Sequence, residues 1–413
     1  MKLFIIHPGI QHSPHLANAA NRSQLFDQIT LFTSILFKPQ QKLFWKFKKR
    51  IKPIDQEIKI INHYLYSVLY SISKFLYNKI IVNPHNQSHN NPIYFWQQIF
   101  GYLCLPRIYI NRKNLMVICF ETAGWPIVNY CKKWNILVIM DFASISHEKA
   151  KKLGINETSN GIKLKKKERA LIDYGFYCSK FCRDSFEGLT SAQREFVLYL
   201  GAEALSSPVS ELKSQKPNNR NENNKPLNSI KLSFIANLEY RKGLDIFLEG
   251  IYAYEYPVIL EVHLIGRIRE EWVAAHLPKN ILNQNVKLVY QPAMSQAHLF
   301  KYLQQEDFDL NVQTSRFDSF AMVVPETMMQ GIPNIVSPYV GAGEMIQDGI
   351  DGFIMGELSS NNLNEILQKY IALGIQQRNE LKKQVLNSSQ NMVWRNYYTN
   401  LGKVFKEILN DIS

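Results

Sequence analysis

Short apolar runs, each followed by a helix-length patterned stretch, recur along this whole chain. That alternation restricts it to parallel sheets covered by helices. In the first half the candidate strands are KLFIIH, LMVICF and ILVIM; in the second they are IKLSFIA, VILEVHLIG, VKLVYQ, FDLNVQ and PNIVS. Several stop where glycine or a small polar residue follows, and ligands of open α/β sheets bind beyond such carboxyl ends. At 413 residues the chain exceeds what one hydrophobic core serves, and 46% apolar content suffices for two cores. The segment SSPVSELKSQKPNNRNENNKPLNS, residues 206–229, is too polar to enter either. The expected organisation is an α/β domain over 1–205, this linker, a second α/β domain over 230–388, and a terminal amphipathic helix over 389–413. In that helix Trp394, Tyr397, Leu401, Val404, Phe405 and Ile408 recur at three- and four-residue steps, which normally marks a helix packed on its own domain.

The net charge of +13 is unevenly spread: residues 1–200 carry 28 Lys and Arg against 12 Asp and Glu, and residues 201–413 carry 20 against 23. A basic first half suits an anionic surface, lipid or nucleic acid. Nucleic acid rests on charge alone, since no base-reading module is present. The five cysteines lack CxxC or Cys/His spacing, which points away from a disulfide framework or zinc site and towards a reducing cytosol. The opening MKLFIIHPGI reads as a first strand rather than a signal peptide, and no apolar run is long enough to span a bilayer.

The stretch RFDSFAMVVPETMMQGIPNIVS, residues 316–337, places Asp318 and Glu326 eight positions apart. The pattern predicts a strand over 308–313, a loop over 314–319 and a helix over 320–330, with Pro325 tolerated only in the first turn and Gly331 and Pro333 ending it. Two carboxylates beside one crevice suit the vicinal diols of a nucleotide sugar, and the amides of Phe320, Ala321 and Met322 at the helix start suit a phosphate. The plainer alternative makes Asp318 a helix cap and Glu326 a solvated charge. Upstream, FIANLEYRKGLDIFLEGI sets Arg241 and Lys242 in a strand-to-helix loop, where cations and the helix dipole favour a diphosphate.

In order, Arg241-Lys242-Gly243, a strand ending at Gly266, Asp318-x7-Glu326, Gly331-Ile332-Pro333 and Gly341-Ala342-Gly343-Glu344 resemble the second domain of GT-B glycosyltransferases, most closely the retaining family 4 (group 1) enzymes. The resemblance is strong over 231–355 and faint before 200. It implies two Rossmann-like domains with a cleft between them and a nucleotide-sugar donor, a UDP, GDP or ADP sugar. By the same resemblance Lys242 meets the donor diphosphate, Asp318 the donor sugar and Glu326 the ribose. Arg241, Gly266, Ser319, Phe320, Ala321 and Met322 complete the donor site, and no cofactor or metal is implied. The chain departs from the family at Ala236-Asn237, where Gly-Arg is usual, and at Asp318-Ser319-Phe320-Ala321, where Glu-Gly-Phe-Gly is usual.

In the first half, HPGIQHSPHLANAANRSQL puts Gly9 in the loop after the first strand. The family implies that this loop meets donor or acceptor, with His12 as a further candidate. His147, beyond IMDFASIS, stands where family members keep a histidine near the transferred sugar. QKLFWKFKKRIKP and the Tyr-rich NHYLYSVLYSISKFLYNK suit an anionic lipid surface. The expectation is a cytoplasmic enzyme, acting in solution or at the inner face of the membrane, with Lys242, Asp318 and His147 as the catalytic set. It would transfer a sugar to a glycan or lipid-linked acceptor with retention of configuration; the alternative is a non-catalytic nucleotide-sugar or glycan-binding protein.

Overall fold

The computed structural model describes residues 1–39, 50–80, 93–155, 159–203, 229–252, 256–269 and 285–412. Residues 206–228 of the polar linker and residues 41–49 of the basic aromatic stretch fall outside these. The chain forms two compact units, Met1–Leu198 with Arg395–Ser413, and Tyr199–Trp394.

In the first unit seven strands form one sheet: β1 (Lys2–Ile6), β2 (Gln28–Thr33), β3 (Lys59–Asn62), β4 (Leu115–Phe120), β5 (Leu137–Phe142), β6 (Tyr174–Tyr177) and β7 (Arg194–Val197). Their order is β3-β2-β1-β4-β5-β6-β7, every neighbour parallel. Every residue of β4 is buried, which is why it reads as an unbroken apolar run. The predicted β1, β4 and β5 are all present. β2 and the short β3, β6 and β7 escaped notice because threonines or charges interrupt them, or because four residues carry too little pattern.

The second unit has six strands, β8 (Ser229–Ile235), β9 (Ile259–Gly266), β10 (Val286–Pro292), β11 (Leu310–Gln313), β12 (Asn334–Val336) and β13 (Gly352–Ile354). Their order, β10-β9-β8-β11-β12-β13, is that of a dinucleotide-binding sheet. Leu232, Phe234, Phe247, Val262, Leu264 and Val312 are fully buried in its core. A polar seam crosses that core: Asn311 donates to Asn334 (2.6 Å), while Ser233 and Thr327 donate to the Asn311 and Asn334 side-chain carbonyls (3.1 and 3.0 Å). Because buried polar atoms must find partners, this seam fixes how β8, β11 and β12 align.

The terminal helix, Trp394–Asp411, belongs to the first unit. Its apolar face is the one the periodicity predicts, with Phe405 packed on Phe26 and Phe176 and with Glu407 and Asp411 paired to Arg194. The chain thus crosses back to the unit in which it began.

Candidate functional site

Sequential and spatial strand order part company between β8 and β11, and ligands of such sheets bind at that switch point. After β8 the chain turns through a short 3-10 helix, Tyr240–Lys242, then Gly243 at φ 68°, and enters the helix Leu244–Tyr252. After β11 it runs from Thr314 to Asp318. The two loops are sewn together. Thr314 donates its hydroxyl to the Gly243 carbonyl (2.8 Å), the Arg316 amide donates to the Arg241 carbonyl (2.9 Å), and Lys242 forms an ion pair with Asp318. Arg316, which the sequence reading passed over, donates both guanidinium nitrogens to Asp245 (2.6 and 2.7 Å) and stacks 3.4 Å over the Tyr240 ring. It clamps the turn that presents Lys242.

Asp318 is the hub. Burial would raise its pKa, but the Lys242 ammonium, aided by Arg241 and the Phe320 amide, more than offsets this and holds it below the usual aspartate value. Its Oδ1 accepts from the amides of Phe320 (3.4 Å) and Ala321 (2.9 Å). Its backbone is strapped to the glycine-rich turn, since its amide donates to Tyr339 and Gly341 donates to its carbonyl. The 3-10 helix Gly341–Met345 therefore braces the loop carrying Asp318.

The helix after this loop differs from its expected form. It runs only from Val323 to Met328, because Ala321 takes a φ of 67° and breaks the helical path. The amides of Phe320 and Ala321 are thus spent on Asp318 rather than turned to a phosphate. Pro325 does sit in the first turn. Glu326 lies in that turn too, rather than two turns in, and accepts from Gln296 Nε2 (2.6 Å). Burial raises its pKa to about 7, with Gln296 opposing. Arg241 pairs with Glu239 (2.6 Å) and leans over Phe317. Gly266 ends β9 against Ala236, whose carbonyl oxygen would lie 1.7 Å from an added Cβ. Beyond it the exposed Arg267 and Arg269 run beside Leu238 through a parallel bridge at Ile268. These are cations near the turn that sequence reasoning missed, although they follow Gly266 directly. Ser319 is buried. In the only described trio with metal-ligand residue types and spacing, Glu261, His263 and Glu306, the two carboxylates are already paired to Lys231 and Lys287, and His263 to Glu261.

The first unit has a matching switch point between β1 and β4, and a cavity of about 980 Å³ opens there. His7 and Gly9, after β1, line it with Glu121 and Thr122, after β4. The Gly9 amide donates to His7 Nδ1 (2.8 Å), which leaves Nε2 to carry the ring proton, and burial lowers the His7 pKa to about 4. His7 is therefore a neutral donor at physiological pH. Lys165 lies 3.3 Å from Glu121, both buried in the cavity wall. Thr122 holds a φ of 74°, costly for a β-branched residue, and its amide is taken by Glu168 (2.7 Å). His7 was legible as the residue closing β1; Lys165 and Glu168 sit in a lysine-rich helix that reads as solvated charge. His12 lies beside the cavity residues, 2.9 Å from Asp141 and buried with it. His147 starts the helix His147–Lys152, its Nδ1 3.0 Å from Glu148, and is not part of the cavity wall.

Two parallel α/β units with these strand orders have the GT-B fold. Residues 215–387, within the second unit and its linker, match the family model described as Glycosyl transferases group 1. Among curated proteins, the sucrose synthase of Denitrovibrio acetiphilus is 30% identical over 118 residues, 28% of this chain and 13% of that protein. That of Thermosynechococcus vestitus is 25% identical over 116 residues, 28% of this chain and 12% of its own. This chain therefore matches only about an eighth of the length of either. Among solved structures, the sucrose-phosphate synthase of Thermosynechococcus elongatus superposes with a TM-score of 0.64 at 14% identity, covering 100% of both chains. HepE of Anabaena, in complex with UDP and glucose, gives 0.61 at 14%, covering 98% of this chain and 100% of that one. The lipopolysaccharide outer core galactosyltransferase WaaB gives 0.59 at 16%, with 98% and 100% covered.

Proposed function

We propose that this chain, a family 4 enzyme in its finer classification, transfers a sugar from a nucleotide-sugar donor to a hydroxyl of a glycan or lipid-linked acceptor, with retention of anomeric configuration. The donor is a UDP, GDP or ADP sugar, and the work is done in the cytoplasm or at the inner face of the membrane. The observation that carries this reading is the Lys242–Asp318 pair at the β8/β11 switch point, inside the segment that matches the group 1 family. An ammonium has three protons to donate, so Lys242 can hold Asp318 with one and a donor diphosphate with the others. Asp318 keeps acceptor capacity for a sugar hydroxyl, and Glu326 for the ribose diol.

In the reaction the bond from the anomeric carbon to the diphosphate oxygen breaks, and the acceptor oxygen bonds to that carbon from the same face. The acceptor proton passes to the departing phosphate oxygen. Charge grows on the diphosphate as its bond breaks, and Lys242, with Arg241, Arg267 and Arg269 nearby, stabilises it; fixed cations thereby take the part a metal plays elsewhere. The acceptor enters the cavity of the first unit, where neutral His7 and the Glu121–Lys165 pair offer both donors and acceptors to a hydroxyl.

A second reading, a non-catalytic binder of nucleotide sugars or glycans, draws on the pairing of Lys242 and Arg241 to acids and of two loop amides to Asp318. Calorimetric titration with UDP-, GDP- and ADP-sugars, followed by assay of donor hydrolysis and transfer, separates the two. UDP-glucose is the first to try, because HepE has been solved with it. Tight binding without hydrolysis or transfer supports the binder; no binding of any donor sinks the transferase and the nucleotide-sugar binder and leaves only a glycan binder.

The raised pKa of Glu326 makes a further expectation. Only the carboxylate accepts from both ribose hydroxyls, so donor affinity should rise about tenfold from pH 6 to pH 8, around a midpoint near 7. Glu326→Gln should bind more weakly and lose this pH step. If the variant shows wild-type affinity at both pH values, Glu326 does not meet the donor.

A further inference from the structure

The helix Tyr64–Ile80 carries two apolar faces, and the fold uses one. Tyr66 and Tyr70 pack against Trp96 of the helix Ile93–Ile110, ring centroids 5.9 and 6.5 Å apart, and Tyr66 also meets Phe100 at 5.1 Å. On other sides Leu65, Val68, Leu69, Ile72, Phe75 and Leu76, at three- and four-residue steps, are exposed, Leu65 to 73% and Phe75 to 62%. A contiguous strip of large apolar side chains on one helix marks an interaction surface rather than chance.

Two observations decide what covers it. First, the charge around it has one sign: from Glu57 to Glu121 the intervening sequence holds no Asp or Glu but six Lys and Arg. Of these Lys59, Lys74, Arg107, Arg112 and Lys113 are exposed, as is Arg50 nearby at the cavity. Apolar side chains carried by a segment whose charged residues are all cations match an anionic bilayer, whose headgroups attract the charges while its acyl region takes the strip. Second, the strip runs into the site. Val68, Ile72 and Phe75, with Lys74, also line the 980 Å³ cavity whose inner wall carries His7, Glu121 and Lys165.

We infer that this strip docks the first unit on an anionic lipid bilayer and that the acceptor is a membrane lipid, its hydroxyl-bearing head entering the cavity while its chain stays in the bilayer. The second clause rests on the transferase reading above; the first stands without it.

The test uses the full chain and vesicles of phosphatidylglycerol with phosphatidylcholine, or of phosphatidylcholine alone. Sedimentation should show binding to the anionic vesicles that weakens steeply with salt. Leu65→Ser/Leu69→Ser/Leu76→Ser, none of which lines the cavity, should bind at least tenfold more weakly, with its unfolding midpoint and UDP-glucose affinity unchanged. In parallel, radiolabelled UDP-glucose is supplied with a total polar lipid extract, and label should pass into the organic phase. Docking is overturned if wild type prefers neither vesicle, if the triple variant binds like wild type, or if wild type is a dimer that the variant dissolves, since a second copy then covers the strip. Label confined to aqueous glycan overturns the lipid acceptor. Vesicle binding with no transfer into either phase, from UDP-glucose or from any other donor of the UDP-, GDP- and ADP-sugar panel, leaves docking standing and defeats the transferase reading instead.

Discussion

Lys242→Ala is expected to lower turnover at saturating donor by about 100- to 1,000-fold, the range for losing one preorganised group that stabilises developing charge. The diphosphate is more negative in the transition state than in the bound donor, so the missing ammonium is felt mainly in kcat. The ion pair adds a structural consequence. Without Lys242, Asp318 is a buried carboxylate whose pKa moves upward, because the largest influence left on it is desolvation. In the wild type, the lowered pKa of Asp318 means that its stabilisation is present above the unfolded value of 3.8 and is lost as pH falls through the folded value. The variant should lack that contribution and lose about 1–3 kcal/mol at neutral pH, between the values for exposed and buried pairs. Lys242→Ala/Asp318→Asn separates the two roles: denaturant titration should show stability returning, and the transfer assay should show no activity. Arg241→Ala should cost less, since Arg241 is turned to Glu239 and Phe317. Near-normal turnover of Lys242→Ala would mean that other groups hold the diphosphate.

What could be read in the sequence was what is local. The βα alternation exposes the buried parallel strands because both of their faces are covered; Gly266 is legible as a strand end and Gly243 as the entry to a helix. The order of strands is not local, yet the recurring pattern led to two sheets of one design. What could not be read was partnership at a distance. Lys242 and Asp318 stand 76 positions apart, so their ion pair has no trace in either motif. The clamp from Arg316 to Asp245, 71 positions away, is hidden for the same reason. The helix expected from Phe320 starts late, at Val323, because the positive φ of Ala321 comes from the loop's attachment to Asp318 and the glycine-rich turn, whereas alanine by itself favours a helix. The exposed strip of Tyr64–Ile80 shows the opposite limit: periodicity reveals an apolar face, and only the fold reveals which face is left uncovered.

Gly243→Ala should damage the second unit and its donor site together. Gly243 sits at φ 68°, and a Cβ there would stand 1.7 Å from the Thr314 carbonyl oxygen, a backbone atom that cannot turn aside. The loops after β8 and β11 would have to separate, which breaks the Thr314–Gly243 hydrogen bond and draws Lys242 away from Asp318. Strain and clash together should cost about 2–4 kcal/mol, and donor affinity should fall with them. Gly188→Ala is the control. Gly188 has nearly the same φ, 67°, and nothing within 4 Å of an added Cβ, so it carries the conformational cost alone, about 1 kcal/mol. Denaturant titration of both variants with donor calorimetry isolates the contact. A Gly243→Ala protein that loses no more stability than Gly188→Ala and binds donor normally would show that the two loops are free to part, and that their stitching does not set the position of Lys242.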